Sequence, residues 1–296
     1  MKPPPFEYFA PSSLPEALEL MNQHGYGAKV LAGGQSLVPT MNFRLANPSV
    51  LIDLNRIPDL GYIRSWSDGL SIGAMTRHVQ VEKSPKVLDK MPLLHATMPR
   101  IAHPQIRNRG TFGGSLAHAD PAAELPALLR AVRGQVKAQS VRGERWIDAD
   151  DFFVDFFTTA LEPDEILTEV RLPGLALRSG WAMDEVARRH GDFALVGVTT
   201  VVRVNASGAC DEARMVFFGV GDGPMLAETA AGVLRGEQPT DDAILAAAEA
   251  AAQKDVDPPT DVHATAAYRR HLVKVLAKRT LRQAFDRALG KEVHND

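Results

Sequence analysis

Ala28-Lys29-Val30-Leu31-Ala32-Gly33-Gly34-Gln35-Ser36 reads as a short apolar strand that runs straight into a paired-glycine loop. A second loop of the same kind stands at Arg109-Gly110-Thr111-Phe112-Gly113-Gly114-Ser115, and the acidic turn Asp120-Pro121-Ala122-Ala123-Glu124 follows it. Consecutive glycines let backbone N–H groups approach a ligand and point the same way, because no Cβ is in the path. The ligand of such a nest is an anion, usually a phosphate. Two nests on one chain suggest two phosphates gripped from both sides, as in a dinucleotide cofactor. Taken singly, each glycine pair is equally well a turn that binds nothing.

The residues around the pairs weigh against that bland reading. Gln35, Ser36, Thr111 and Ser115 add short side-chain donors, and Glu124 adds an acceptor where ribose or ribityl hydroxyls would sit. Neither loop continues into Gly-Lys-Ser/Thr, which disfavours ATP hydrolysis of the P-loop type, and neither fits Gly-x-Gly-x-x-Gly. On this reading a Cβ at Gly33 or Gly114 blocks the ligand while leaving much of the fold.

Ser12-Ser13-Leu14-Pro15-Glu16 is a capped helix start, and Leu14, Ala17, Leu18 and Met21 recur at helical spacing until Gly25 or Gly27. Val50 to Leu54 is a second apolar strand. Hairpins are expected at 62–72, around Asp68-Gly69, and at 136–147, around Arg142-Gly143, with a helix at Leu93–Ala102 broken by Pro99. The strand Ile166–Arg171 ends at Leu172-Pro173-Gly174-Leu175, where a boundary is expected. Three strands follow, Gly180–Ala187, Ala194–Val204 and Ala213–Gly219, and then helices over Asp242–Ala252 and Ala264–Leu289. Strands and helices mix without a βαβ repeat, so the expected class is α+β. Arg269, Arg270, Lys274, Lys278, Arg279, Arg282 and Arg287 read as a solvated basic face of the last helix.

With 296 residues the chain has room for roughly two domains, and 45% hydrophobic residues suffice for substantial cores. A formal net charge of −3 gives no electrostatic reason to bind nucleic acid. No apolar run approaches the ~18 residues of a membrane span. The opening Met1-Lys2-Pro3-Pro4-Pro5-Phe6 has no signal-like apolar core, so a cytoplasmic location is expected. Cys210 is the one cysteine; no internal disulfide or thiolate-held zinc or iron–sulfur centre fits within the chain. Its setting reads as a turn and its thiol as inert. The histidines show no metal-ligand spacing, and His118-Ala119-Asp120 beside a nest is better read as a nucleotide contact than a metal site. No nucleophile or general-base constellation stands out, so no catalytic side chain is assigned.

These motifs together resemble the FAD-carrying medium subunit of the molybdenum hydroxylases, the group of carbon monoxide, xanthine and bacterial N-heterocycle dehydrogenases. The likeness rests on Ala32–Ser36 with Thr111–Gly114, on Lys2–Tyr8, Asp53–Ile57, Ile101–Gly110 and Ala117–Glu124, and on Arg188-Arg189-His190-Gly191-Asp192-Phe193-Ala194. It implies an FAD-binding domain over 1–175, in subdomains of roughly 1–58 and 59–175, and a C-terminal α+β domain over 176–296. It implies that Leu31, Ala32, Gly33, Gly34, Gln35, Ser36, Leu37, Gly110, Thr111, Gly113, Gly114 and Ser115 cradle FAD, held without a covalent bond. Ile101, Ala102, His118 and Leu167 would lie along the cofactor, Glu124 would hold its hydroxyls, and Phe193 would stack near the isoalloxazine, unless Phe193 is ordinary core. Gln35, Phe112 and Ser115 depart from the commonest residues of the group at their positions.

The resemblance further implies a large molybdenum-cofactor subunit and a small subunit with iron–sulfur clusters, in a heterotrimer or a dimer of heterotrimers. The substrate class it suggests is an aromatic N-heterocycle. Two rivals are a self-contained flavin oxidase or reductase and a nucleotide-binding interaction module without turnover.

Overall fold

The computed structural model describes residues 2–291; Met1 and 292–296, the end of the expected C-terminal domain, lie outside the described residues. The helix Leu14–His24 begins where its cap predicts. The Ser13 hydroxyl accepts the Glu16 N–H, Pro15 sits in the first turn, and Gly25 at φ +46° ends it. Ala17, Leu18 and Met21 form the buried stripe of this helix and join the core around Ile52, Leu54 and Leu60. That core contains strands β1 (Glu7–Phe9), β2 (Ala28–Leu31) and β3 (Val50–Asp53), which make a parallel sheet in the order β1-β3-β2.

The middle of the chain is antiparallel. Hairpin β4–β5 (Ile63–Trp66, Gly69–Gly73) and hairpin β6–β7 (Gln135–Ser140, Gly143–Asp148) flank a later strand. After the small pair β8 (Phe153–Asp155) and β9 (Thr158–Thr159), strand β10 (Ile166–Pro173) inserts between them, giving the order β4-β5-β10-β6-β7. Leu70, Ile72, Val136 and Val170 of this sheet pack with Phe112, Leu116 and Leu128 from the helices Phe112–His118 and Glu124–Ala131. The helix expected at Leu93–Ala102 runs only over Pro92–Thr97. A tighter turn, Met98–Arg100, takes over because Pro99 has no N–H to continue the ladder.

Beyond Pro173 the chain builds a third sheet from β11 (Ser179–Ala187), β12 (Ala194–Val204), β13 (Cys210–Phe218) and β14 (Met225–Leu226), antiparallel in sequence order. Helices Glu228–Leu234 and Asp241–Ala250, the latter continued by a wider turn over Ala251–Asp255, and the long Ala266–Ala288 share its core. Leu272, Val273, Leu276, Leu281 and Phe285 bury the inner side of that terminal helix. It lies so close to β11 that a Cβ on Gly180 would overlap the Ala284 carbonyl.

The class is α+β, as the mixed pattern predicts. Two local readings are corrected. Cys210 opens β13 rather than sitting in a turn, and burial pushes its thiol up to about 11, so it stays protonated and unreactive at neutral pH. Arg269 is not part of a solvated face: only 4% exposed, it donates to the carbonyls of Leu195 and Gly219 and pairs with Asp261 at 2.7 Å. Periodicity placed it on the polar side, but at the helix start it meets the ends of β12 and β13, whose carbonyls need a donor. Among the described residues, no helix is long and apolar enough to cross a membrane.

Candidate cofactor site at the two glycine loops

Both glycine pairs leave regular structure at points that bring them together. The first loop emerges from the carboxyl end of β2, which pairs with β3 so that Leu31 lies opposite Asp53. Ligands of open parallel sheets gather at such strand ends. The second loop runs antiparallel to 74–78: Phe112 and Gly113 donate to the carbonyls of Thr76 and Ala74, and His78 donates to that of Gly110. The loops then touch. A Cβ on Gly33 would come within 2.5 Å of the Arg109 carbonyl and 2.8 Å of Gly110 Cα, and one on Gly114 would stand 3.5 Å from Ala32 Cβ.

This contact changes the reading of Gly33. Its missing side chain makes room for the other loop's backbone, so a larger residue there disturbs the fold as well as any ligand. Gly113 is packed the same way, since an added Cβ would meet Ala74 Cβ at 2.5 Å. Gly34 is needed for its left-handed backbone, φ +72°. Gly114 differs, because its added Cβ would chiefly meet Thr111 Oγ1, a rotatable side-chain atom, at 2.5 Å.

The two loops treat their donors differently. The N–H groups of Gly33, Gly34, Gln35 and Ser36 meet no acceptor among the described residues, while the Gln35 side chain turns inward and donates to the Gly33 carbonyl at 3.0 Å. In the second loop the N–H groups of Gly110, Phe112, Gly113 and Ser115 all reach backbone carbonyls, and that of Gly114 reaches Thr111 Oγ1 at 3.2 Å. Four successive donors in a half-exposed loop, without an acceptor among the described residues, fit an anionic diphosphate. Gln35 and Thr111 are used within their own loops, so the backbone supplies most of the donors.

His78 anchors the second loop from behind. Its Nε2 lies 2.9 Å from the Thr111 carbonyl and therefore carries the proton, leaving Nδ1 as a buried lone pair facing Gly110. Burial pushes its pKa down to about 4, so the ring is neutral. Arg107 holds the segment between the loops. It is buried, paired with Glu82 at 2.9 Å, and donates to the carbonyls of Ile101 and Ala102 at 3.0 and 2.9 Å. Those bonds fix Ala102 at φ +47°, a conformation an alanine rarely adopts.

The remaining expected residues are placed around this centre. Ile101 is buried and Ala102 half-exposed. Gly191 stacks on them: a Cβ there would stand 2.7 Å from the His103 ring and 3.0 Å from the Ala102 carbonyl. The segment bearing Phe193 thus reaches the site, and Phe193 itself is 65% exposed, which rules out the core reading of that ring. His118 is half-buried against Phe157, ring centroids 5.0 Å apart, and Leu167 is buried in the core behind. Glu124 opens its helix almost fully buried. Burial lifts its carboxyl to about 7 against the pull of its own N–H, and lifts that of Glu185, which faces Glu124 from β11, to about 8. One oxygen of Glu185 has no hydrogen-bond partner among the described residues. Sequence reasoning did not single out Glu185, His78 or Arg77, which carry no motif, and gave Arg107 no role beyond its place in the stretch Ile101–Gly110; their roles come from contacts across the fold.

Two surface clefts include none of these residues. One is lined by Tyr62, Lys137, Glu144 and Glu169, the other by Arg133, Arg203, Glu212 and Arg214, and their charges are largely paired with one another.

The FAD binding domain in molybdopterin dehydrogenase matches residues 4–175, and the CO dehydrogenase flavoprotein C-terminal domain matches 181–284. The 6-hydroxypseudooxynicotine dehydrogenase complex subunit alpha of Paenarthrobacter nicotinovorans is 44% identical over 97% of both chains. The nicotine 6-hydroxylase medium subunit of the same organism is 41% identical over 96% of this chain and 99% of that one. The structure superposes with a TM-score of 0.93 and 40% identity on a chain of the Hydrogenophaga pseudoflava carbon monoxide dehydrogenase lacking its Mo-pyranopterin moiety, covering 97% of this chain and 99% of that one. The chain therefore belongs to the FAD-binding medium subunits of the molybdenum hydroxylases.

Proposed function

We propose that this chain binds FAD without a covalent link and serves as the electron exit of a heterotrimeric molybdenum hydroxylase. The observation that carries the site assignment is the row of unengaged N–H groups over Gly33–Ser36, set against the wall of the second glycine loop. Leu31 to Leu37 and Gly110 to Ser115 would hold the diphosphate, with Glu124 accepting from the polyol hydroxyls. Ile101, Ala102, His118 and Leu167 would lie along the cofactor, and the exposed Phe193 would stack near its isoalloxazine. FAD supplies the ability to take electrons one at a time and release them in pairs. The protein's part is to bind, orient and shield it. Burial raises the Glu124 carboxyl to about 7, so its charge is sensitive to what covers it.

The chain is organised, on this reading, as an FAD-binding domain over 1–175, with subdomains near 1–58 and 59–175, and a C-terminal domain over 176–296. The three larger sheets and three hydrophobic cores of the described residues support that division, although the core of the second sheet also takes in Met183, Val216 and Phe218 across the seam. The partners are a large molybdenum-cofactor subunit and a small iron–sulfur subunit, in a heterotrimer or its dimer, and the location is cytoplasmic. The relatives named for 6-hydroxypseudooxynicotine and nicotine support an aromatic N-heterocycle as the substrate of the complex.

Native purification from the host tests the assembly. A larger and a smaller polypeptide should accompany this chain, with molybdenum, iron and FAD together and oxidation of N-heterocycles. A chain that emerges alone and turns over a small substrate with oxygen or NAD is a self-contained flavoenzyme; one that binds nucleotide and never turns over is a binding module. Acid precipitation should leave all the yellow colour in the supernatant, since Cys210 is buried in the third sheet and no histidine lies in either loop.

A further inference from the structure

The two glycine loops belong to different sheets, and a diphosphate held between them requires their separation to be fixed. Backbone contact at Gly33 sets how close they come, but contact alone leaves sliding free. A chain of side-chain hydrogen bonds removes that freedom. Asn55, just after β3, donates from Nδ2 to the Ala32 carbonyl at 2.9 Å, at the root of the first loop. Its Oδ1 accepts from Arg77 Nη2 at 2.5 Å, and Arg77 Nη1 donates to the Arg109 carbonyl, at the root of the second loop. Behind Asn55, Asp53 accepts its backbone N–H at 2.9 Å and its side-chain amide at 2.5 Å, and also takes the Tyr8 hydroxyl at 2.6 Å. Among the described residues, the Asn55–Arg77 bond is the one side-chain hydrogen bond joining residues 2–58 to residues 59–175.

We propose that Asn55 and Arg77 are positioning residues that set the spacing and register of the two glycine loops for the diphosphate of FAD. The proposal rests on the reading that FAD lies between those loops. A direct phosphate grip by Arg77 through its remaining N–H groups is the competing role; each terminal nitrogen of the guanidinium already donates once, one to each side of the seam. The planar fork of arginine suits two acceptors at a fixed angle; a lysine ammonium, a compact point charge, cannot copy it. The charges facing Arg77 are Arg109, which opposes its own, and Asp53, which favours it. Asp53 thus orients the Asn55 amide and balances the paired cations.

The test uses the full chain stripped of flavin and titrated with FAD, read by quenching of flavin fluorescence, with the thermal midpoint of each apo variant recorded. Asn55→Ala and Arg77→Leu should each weaken FAD about tenfold, the usual worth of a hydrogen bond with one charged partner. Because both cut one strut, the double variant should lose little more than either single, not the ~100-fold of independent contacts. Arg77→Lys should be as weak as Arg77→Leu. Asn55→Asp keeps the acceptor for Arg77 but loses the donor to Ala32, and should fall between wild type and Asn55→Ala.

Additive losses overturn the strut. So does full affinity in Arg77→Lys with a steep salt dependence, which makes Arg77 a phosphate counter-charge, or a lowered thermal midpoint with unchanged FAD affinity, which leaves only a structural role. The underlying site reading fails separately, if the wild-type chain does not take up FAD or if Gly114→Val binds it as tightly as wild type.

Discussion

The two glycine loops look alike in sequence, yet one leaves its backbone donors free and the other ties them down. Gly33 to Ser36 project unengaged N–H groups from the end of a parallel strand. Gly110 to Ser115 bond to Thr76, Ala74, Ile106 and Thr111, with His78 behind. A loop that must present donors to a ligand leaves them unpaired with protein acceptors, open to solvent or to the ligand. The second loop is the wall opposite. The pair teaches that a shared Gly-Gly signature can hide a division between the loop that binds and the loop that backs it.

The division can be broken most severely at Gly113. Gly113→Val drives a side chain into Ala74, and overpacking against backbone should cost about 3 kcal/mol or more. Soluble yield and thermal midpoint should both collapse; a well-folded variant would show the wall to be soft. Gly114→Val asks the opposite question. Thr111 can rotate away at the loss of its cap, about 1 kcal/mol, so the chain should fold but come out colourless. Full flavin occupancy there would mean that the ligand does not approach this face.

His78→Phe sharpens the comparison at a smaller scale. Removing the donor to the Thr111 carbonyl should destabilise the chain by about 1–2 kcal/mol and loosen FAD severalfold. The pH dependence has a defined sign. The folded chain holds His78 neutral down to about pH 4, whereas the unfolded chain takes up the proton near 6.5, so wild type loses stability as pH falls through that interval. His78→Phe should remove that part of the acid sensitivity, as read by urea midpoints between pH 4 and 7.

The smallest effect is expected at Glu185. Glu124 and Glu185 keep protons in the folded apo chain that the unfolded chain releases near pH 4.5, so their contribution is lost as pH rises through about 7 to 8. Glu185→Gln should flatten that alkaline decline. A slope equal to wild type would show that the two carboxyls do not share the seam.

Much of the fold is legible because it depends on local chemistry. The Ser13 cap, Pro15 and Gly25 delimit the first helix, and the hairpins around Gly69 and Gly143 follow from their turns. The loops themselves stand out by their glycines. What is illegible is made by contact between distant segments. That Gly33 rests on the Arg109 carbonyl depends on how two sheets pack, and no spacing in the chain announces it. Arg77 lies in the unremarkable run Met75-Thr76-Arg77-His78, and Arg269 reads as one more surface cation until the ends of β12 and β13 reach it.

The terminal helix has a consequence for how the chain is made. Its inner side completes the core of the third sheet, yet about 70 residues separate Phe218, the end of β13, from Ala288. At roughly 5–20 residues per second of synthesis, β11 to β13 wait on the order of 4–14 s before their cover emerges. During that wait Val196, Val198, Met215 and Phe217, all buried in the finished protein, form an open apolar surface with unpaired strand edges. The nascent chain is exposed to aggregation in this window.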